Sequence, residues 1–166
     1  MKPHCCKELI IIFNKAFQAR ESTVLVSGGE EPLYRPADED SIFHQIIFTR
    51  DYFASALHEI AHWCIAGKKR REIMDYGYWY YPDGRDQKQQ DLFERVEVKP
   101  QALELIFSET IGASFQVSVD NLSGTPMSDT SHFEKKVKQQ AQYYRDQGLP
   151  ERAEIFRAEL VSFYKL

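Results

Sequence analysis

The sequence predicts an α+β fold dominated by helix, with a small sheet. Three observations carry that expectation. Apolar residues recur at three- and four-residue spacing through several long segments. Only short runs rich in β-branched residues and phenylalanine, at Val24–Val26 and Phe43–Phe48, read as strand. No internal repeat or long linker divides the 166 residues, so one domain spanning residues 1–166 with a single sizeable core is expected.

The elements follow in order. Leu9, Ile10, Phe13, Ala16 and Phe17 mark an amphipathic helix over Cys6–Arg20. Val24, Leu25 and Val26 form a strand stopped by Gly28 and Gly29, and the acidic stretch from Glu30 to Asp40 is loop with an edge strand at Leu33–Arg35. A second strand covers Phe43–Phe48. The next helix takes Thr49 as its cap and Asp51 in its first turn. It is apolar on nearly every side from Tyr52 to Ala66, the pattern of a buried helix. Gly67 is expected as its left-handed stop, with Lys68–Arg71 where the helix dipole favours cations. An aromatic loop from Tyr76 to Tyr81 closes at Pro82-Asp83-Gly84. A long helix is expected over Gln89–Ser118, started or kinked by Pro100. After a loop over Asn121–Asp129 come two polar helices, Ser131–Gln147 and Glu151–Tyr164.

Composition excludes several classes. Apolar residues are 43% and charged residues 28%, which is ordinary globular usage rather than disorder. A net charge of −4 and a pI near 5.8 argue against nucleic acid as a partner, because phosphate binding needs a basic face. No apolar run reaches membrane-spanning length, and Met1–Cys6 lack the order of a secretory signal. Three cysteines, Cys5, Cys6 and Cys64, without framework spacing fit a reducing compartment. A cytoplasmic monomer is expected.

Chemistry is concentrated in His58-Glu59-Ile60-Ala61-His62. Residues four apart share a helical face, so both imidazoles can reach one ion. HExxH arises by chance in about one chain of this length in a hundred, but here these are the only strongly polar residues on an apolar helix. Burying two imidazoles and a carboxylate without partners would cost several kcal/mol, of order 2–7 each. One metal ion satisfies all three; the blander possibility is a pair of core histidines hydrogen-bonded to backbone and to Glu59. A third ligand is needed. Glu94, Glu97, Gln101, Glu104 and Ser108 form one stripe on the next long helix, flanked by apolar residues. Spacing alone leaves Glu94, Glu97 and Glu104 open, and a solvated face is the common fate of such a stripe.

Two histidines and a carboxylate serve two chemistries. With zinc they activate water for peptide hydrolysis, with Glu59 as general base. With ferrous iron they bind dioxygen for hydroxylation. A third possibility is a metal-stabilised binding module without turnover, which would need a fourth protein ligand.

Three blocks, HEIAHWCIAGKKRRE, DYGYWYYPDGRD and FERVEVKPQALELIF, together resemble the elongation factor P hydroxylase family across most of the chain. The resemblance implies hydroxylation of a lysine of elongation factor P that already carries a β-lysyl group. It also implies one divalent metal, Fe(II) in function with zinc or another ion able to take its place, held by His58, His62 and Glu97, and dioxygen as co-substrate. No strand-borne HxD appears, so 2-oxoglutarate is not inferred. A zinc metallopeptidase of the HExxH type is the alternative. Glu59 is the candidate catalytic residue, essential in the peptidase and near the ion in the hydroxylase.

Tyr78, Trp79 and Tyr80 are candidates to wall a groove for a long aliphatic lysyl chain, or to meet its cationic end; packing over the core is the equal alternative. Lys68 and Arg70 are candidates to dock an acidic partner, against a simple solvated helix end. Cys64 reads as a core residue, and His44 and His132 as structural.

Overall fold

The helix that carries HExxH packs against the sheet and against three of the other four helices in the described chain. The computed structural model describes residues 3–76, 83–119 and 130–166. Among them are helices α1 (Cys6–Glu21), α2 (Phe53–Ile65), α3 (Gln87–Ile111), α4 (Ser131–Gln147) and α5 (Glu151–Tyr164), and strands β1 (Thr23–Gly29), β2 (Leu33–Arg35) and β3 (His44–Thr49). The fold is helix-dominated with one small sheet, as the periodicity predicts. No helix among the described residues is long and apolar enough to cross a membrane.

The sheet has the order β1-β3-β2. β1 runs parallel to β3, with Leu25 opposite Ile46, and β2 runs antiparallel to β3, with Tyr34 opposite Ile46. Leu25, Ile46 and Phe48 turn inward. α1 buries Leu9, Ile12, Phe13 and Phe17, a stripe with three- and four-residue steps. Phe13 and Phe17 meet Trp63 of α2 edge-on, with ring centroids 5.2 and 4.8 Å away, a favoured aromatic geometry. α2 packs on β3 and α3 and touches α1 and α5. Ala56, Leu57, Ile60, Ala61, Trp63 and Cys64 are all buried, so the helix is enclosed as its all-round apolarity requires.

The ends of α2 differ from expectation. Thr49 does not cap it. Thr49 closes β3, its N–H donating to Ser55 Oγ at 3.1 Å, and the chain turns through Arg50 at φ 47° before the helix begins at Phe53. Asp51 therefore lies outside the first turn. Gly67 is not a left-handed stop either: Ala66, at φ −58° and ψ 125°, leads the chain out extended. The cation at the end of α2 comes from α5, not from the basic run. Arg152 Nη2 donates to the carbonyls of Trp63 at 2.7 Å and Ala66 at 2.6 Å. Its guanidinium lies 4.6 Å from the Trp63 ring centroid.

α3 starts at Gln87, with Asp86 and Gln89 forming a reciprocal capping box. Pro100 lies inside it rather than at its start. The helix stops at Ile111, not Ser118, because Gly112 takes φ 68° and its N–H turns back to Ser108 and Glu109. Residues 113–119 then run as irregular chain. α4 and α5 match their expected bounds.

Candidate metal centre

α2 presents His58 and His62 one turn apart, and α3 presents Glu97 opposite them. The exposure of Glu97 is 1%. His62 Nε2 lies 3.0 Å from His58 Nε2 and 3.0 Å from Glu97 Oε1. His58 Nε2 lies 3.5 Å from Glu97 Oε2. Donors about 2.1 Å from one divalent ion sit roughly 3.0 Å apart at right angles and roughly 3.4 Å apart at tetrahedral angles. The three donors are already spaced for a shared ion, and they form the one such cluster among the described residues. Two nitrogens and a carboxylate oxygen suit Fe(II) and zinc alike.

The electrostatics agree with that spacing. Burial alone would push the His58 imidazole down. The carboxylates of Glu97, Glu104 and Glu59 outweigh it and hold the ring up at about 10. The pocket thus calls for positive charge. Glu59 is raised by burial and by its acidic neighbours, with His58 and His62 acting against them. Among the described residues Glu59 accepts no hydrogen bond, and it lines a cavity of about 40 Å³ with His62, Tyr34, Arg70, Arg71 and Asp75. Two or three waters fit such a space, at about 10–15 Å³ each.

The stripe on α3 is packed inward rather than solvated, with only Glu104 part-buried, and its members divide the work. Glu94 and Ser108 are buried without joining the donor cluster. Glu104 Oε2 meets His58 Nδ1 at 2.8 Å, on the side of the ring away from the cluster. Gln101 Nε2 donates to Glu97 Oε2 at 3.1 Å and to the Ser118 carbonyl at 2.8 Å, and its Oε1 accepts from Ser118 N–H at 3.0 Å. One amide so joins the carboxylate of Glu97 to the chain that follows α3.

Tyr78, Trp79 and Tyr80 lie outside the described residues. The basic run splits in two. Lys68 and Lys69 are exposed. Arg70 turns inward to Asp75 at 3.5 Å, and Arg71 to Glu21 at 3.5 Å. Cys64 is buried in the core and its thiol is pushed up to about 12 by burial. His44 is structural, accepting from Ala37 N–H through Nδ1 at 2.9 Å.

Two residues escaped the sequence reading. Arg85 directly follows the turn signal Pro82-Asp83-Gly84. It is fully buried, bonds Gln90 Oε1 at 2.7 Å and lies 4.0 Å from the Phe93 ring centroid. No local pattern announces such a burial. Arg152 looked like an ordinary exposed charge on a polar helix, and its target is far away in sequence.

Comparison with known proteins bears on which chemistry this site serves. A family model described as Elongation factor P hydroxylase matches residues 12–166. The Elongation factor P lysine hydroxylase of Haemophilus influenzae is 49% identical over 161 residues, covering 97% of this chain and 90% of the relative. Both are named as hydroxylases, and the metallopeptidase alternative draws no support from them. On a match over this much of its length, with the HExxH helix and the Glu97 helix inside it, the chain belongs to the elongation factor P hydroxylase family.

Proposed function

We propose that this chain hydroxylates a lysine side chain of elongation factor P, one that already carries a β-lysyl group, using one divalent metal ion and dioxygen. His58, His62 and Glu97 hold the ion, which is Fe(II) in function. The observation that carries the reading is their convergence at 3.0 to 3.5 Å from two packed helices, in a chain of this family. Three protein donors leave coordination positions free, which a catalytic metal needs and a purely structural one lacks. When bound, ferrous iron supplies dioxygen activation. One oxygen atom would enter a C–H bond and the other leave as water, with two electrons from a separate reductant and two protons from solvent.

The chain's own residues do the rest. Gln101 holds Glu97 in place through the bond to Oε2. The packing of α3 on α2 keeps Glu97 from bulk water and leaves the two imidazoles only part-exposed. Glu59 stands in the adjoining cavity and helps hold that space in shape. Tyr78, Trp79 and Tyr80 provide the wall for the aliphatic part of the substrate, and exposed Lys68 faces an acidic partner surface, with Arg70, part-exposed and paired to Asp75, at its edge. The protein works as a cytoplasmic monomer with elongation factor P as partner and no nucleic acid.

The test is intact-mass measurement of elongation factor P, isolated in its β-lysylated form. It is incubated with iron-loaded protein and excess chemical reductant, in air and under argon. A gain of one oxygen atom in air alone is expected. Peptide cleavage, or no change in either atmosphere, overturns the reading.

A further inference from the structure

We infer that Glu104 is a positioning residue for the metal centre, holding the Nδ1 side of His58 so that Nε2 is the nitrogen turned toward His62 and Glu97. The inference rests on the reading that His58, His62 and Glu97 hold an ion.

A neutral imidazole has one N–H and one lone pair, and only the lone pair can bind a metal. For Nε2 to bind, the proton must sit on Nδ1. An ionised carboxylate only accepts hydrogen bonds, so a carboxylate 2.8 Å from Nδ1 selects that tautomer. It also fixes the ring. Turning the imidazole over would exchange Nδ1 for a carbon and leave the carboxylate without its donor. The side chain of Glu104 is 12% exposed, so water is a poor substitute for that donor.

The placement follows from α3. Glu97 and Glu104 are seven residues apart, close to two full turns, so they project from one face of one helix. That face grips His58 from both sides, with Glu97 Oε2 3.5 Å from Nε2 and Glu104 Oε2 2.8 Å from Nδ1. His62 has no counterpart: among the described residues no hydrogen-bond partner meets its Nδ1. Orientation of the pair is therefore imposed at His58, and His62 follows through helix geometry.

The test uses Zn²⁺ as the probe, with affinity measured by chelator competition on the full chain. Histidine ¹⁵N-labelled protein reports the tautomer by long-range ¹⁵N–¹H correlation. Glu104→Met keeps the length and packing of the side chain but removes the acceptor, whereas Glu104→Gln keeps an acceptor oxygen. Glu104→Met is expected to bind Zn²⁺ about tenfold to hundredfold more weakly, with the protected His58 Nδ1–H signal lost. Glu104→Gln is expected to stay within about tenfold of the parent and to keep that signal. Wild-type affinity and an unchanged His58 signal in Glu104→Met would overturn the inference. Failure of the parent to take up Zn²⁺ would overturn the metal reading and this inference together. Loss of hydroxylation with these Zn²⁺ results intact would bear on the reaction alone.

Discussion

The Gln101 side chain and the Ser118 backbone are joined twice, by Nε2–H to the Ser118 carbonyl at 2.8 Å and by Ser118 N–H to Oε1 at 3.0 Å. The second hydrogen on the same nitrogen goes to Glu97 Oε2 at 3.1 Å. The amide uses both hydrogens and one oxygen in a site where its exposure is 1%. Segment 113–119 is thereby tied, through one amide, to the carboxylate of Glu97.

Replacing Gln101 by Ala should loosen both ends of this link. Metal affinity is expected to fall about tenfold, in the range of lost supporting interactions around a ligand. Amide exchange at Ser118 should quicken together with it. Gln101→Glu is the sharper variant, because a second carboxylate beside Glu97 can neither donate to it nor avoid repelling it. Zinc competition and hydrogen exchange read both effects. Unchanged affinity in Gln101→Glu would show that Glu97 needs no such partner.

Glu59→Gln separates two roles for that residue. A general base is worth about a hundredfold to ten-thousandfold in rate. Abstraction of a C–H hydrogen by an oxidant formed at a metal needs no such base. Burial pushes the Glu59 carboxyl up, so an amide in its place relieves desolvation and should not destabilise the fold. We expect the variant to keep full metal occupancy, an unchanged melting temperature and a measurable fraction of oxygen transfer under single-turnover conditions. A loss of about a thousandfold at full occupancy would instead make Glu59 a proton acceptor in the reaction.

Arg152→Met should lower thermal stability without emptying the metal site. The guanidinium serves the carbonyls of Trp63, Cys64 and Ala66 at the end of α2. Methionine keeps much of the stem but leaves those acceptors to water. Loss of charge-assisted bonds of this kind costs about 2 kcal/mol, which lowers the melting temperature of a domain this size by roughly 4–8 °C. Calorimetry measures it, with Lys15→Met as the control, since the Lys15–Glu159 pair is exposed and worth little. Equal effects in the two variants would deny Arg152 its special place.

The cysteines give a check on burial by chemistry. Burial raises both Cys6 and Cys64, the latter to about 12. A raised thiol is protonated and unreactive until pH approaches its pKa. Cys6 also donates from Sγ to the Asp51 carbonyl at 2.7 Å. Cys5 alone is exposed. A disulfide dye should therefore label one thiol rapidly in the native protein and all three after unfolding. Rapid labelling of a second native thiol would mean the α1–α2 contact opens.

Much of the site was legible because it is written locally. His58 and His62 lie four apart on a helix whose other residues are apolar, and a stripe of carboxylates on an apolar helix must face something. What spacing could not resolve is rotation between helices. Glu97 and Glu104 are equivalent along the stripe, and only the docking of α3 on α2 sends one to the donor cluster and the other to the back of His58. The bounds of α2 misled for the opposite reason. Thr49 and Gly67 carry the right local chemistry for caps, but the pairing of β3 claims Thr49, and Ala66 ends the helix before Gly67 is reached. Gly112 was the overlooked signal, a stop within what reads as one long apolar-periodic stretch. Arg152 owes its role to tertiary partners that no window of sequence contains, and Arg85, whose partners Gln90 and Phe93 lie close by in sequence, carries no periodicity that marks it as buried.

Arg152 also sets an order of events during synthesis. Its carbonyl partners on α2 precede it by 86 to 89 residues, which at about 5–20 residues per second takes the ribosome roughly 4 to 18 seconds. For that interval the helix bearing both histidines is out of the peptidyl-transferase centre but lacks the guanidinium that later serves its last carbonyls. Glu97 and Glu104 are polymerised within the same interval, also ahead of α5. Both helices that grip His58 are therefore made before the residue that clasps the end of α2.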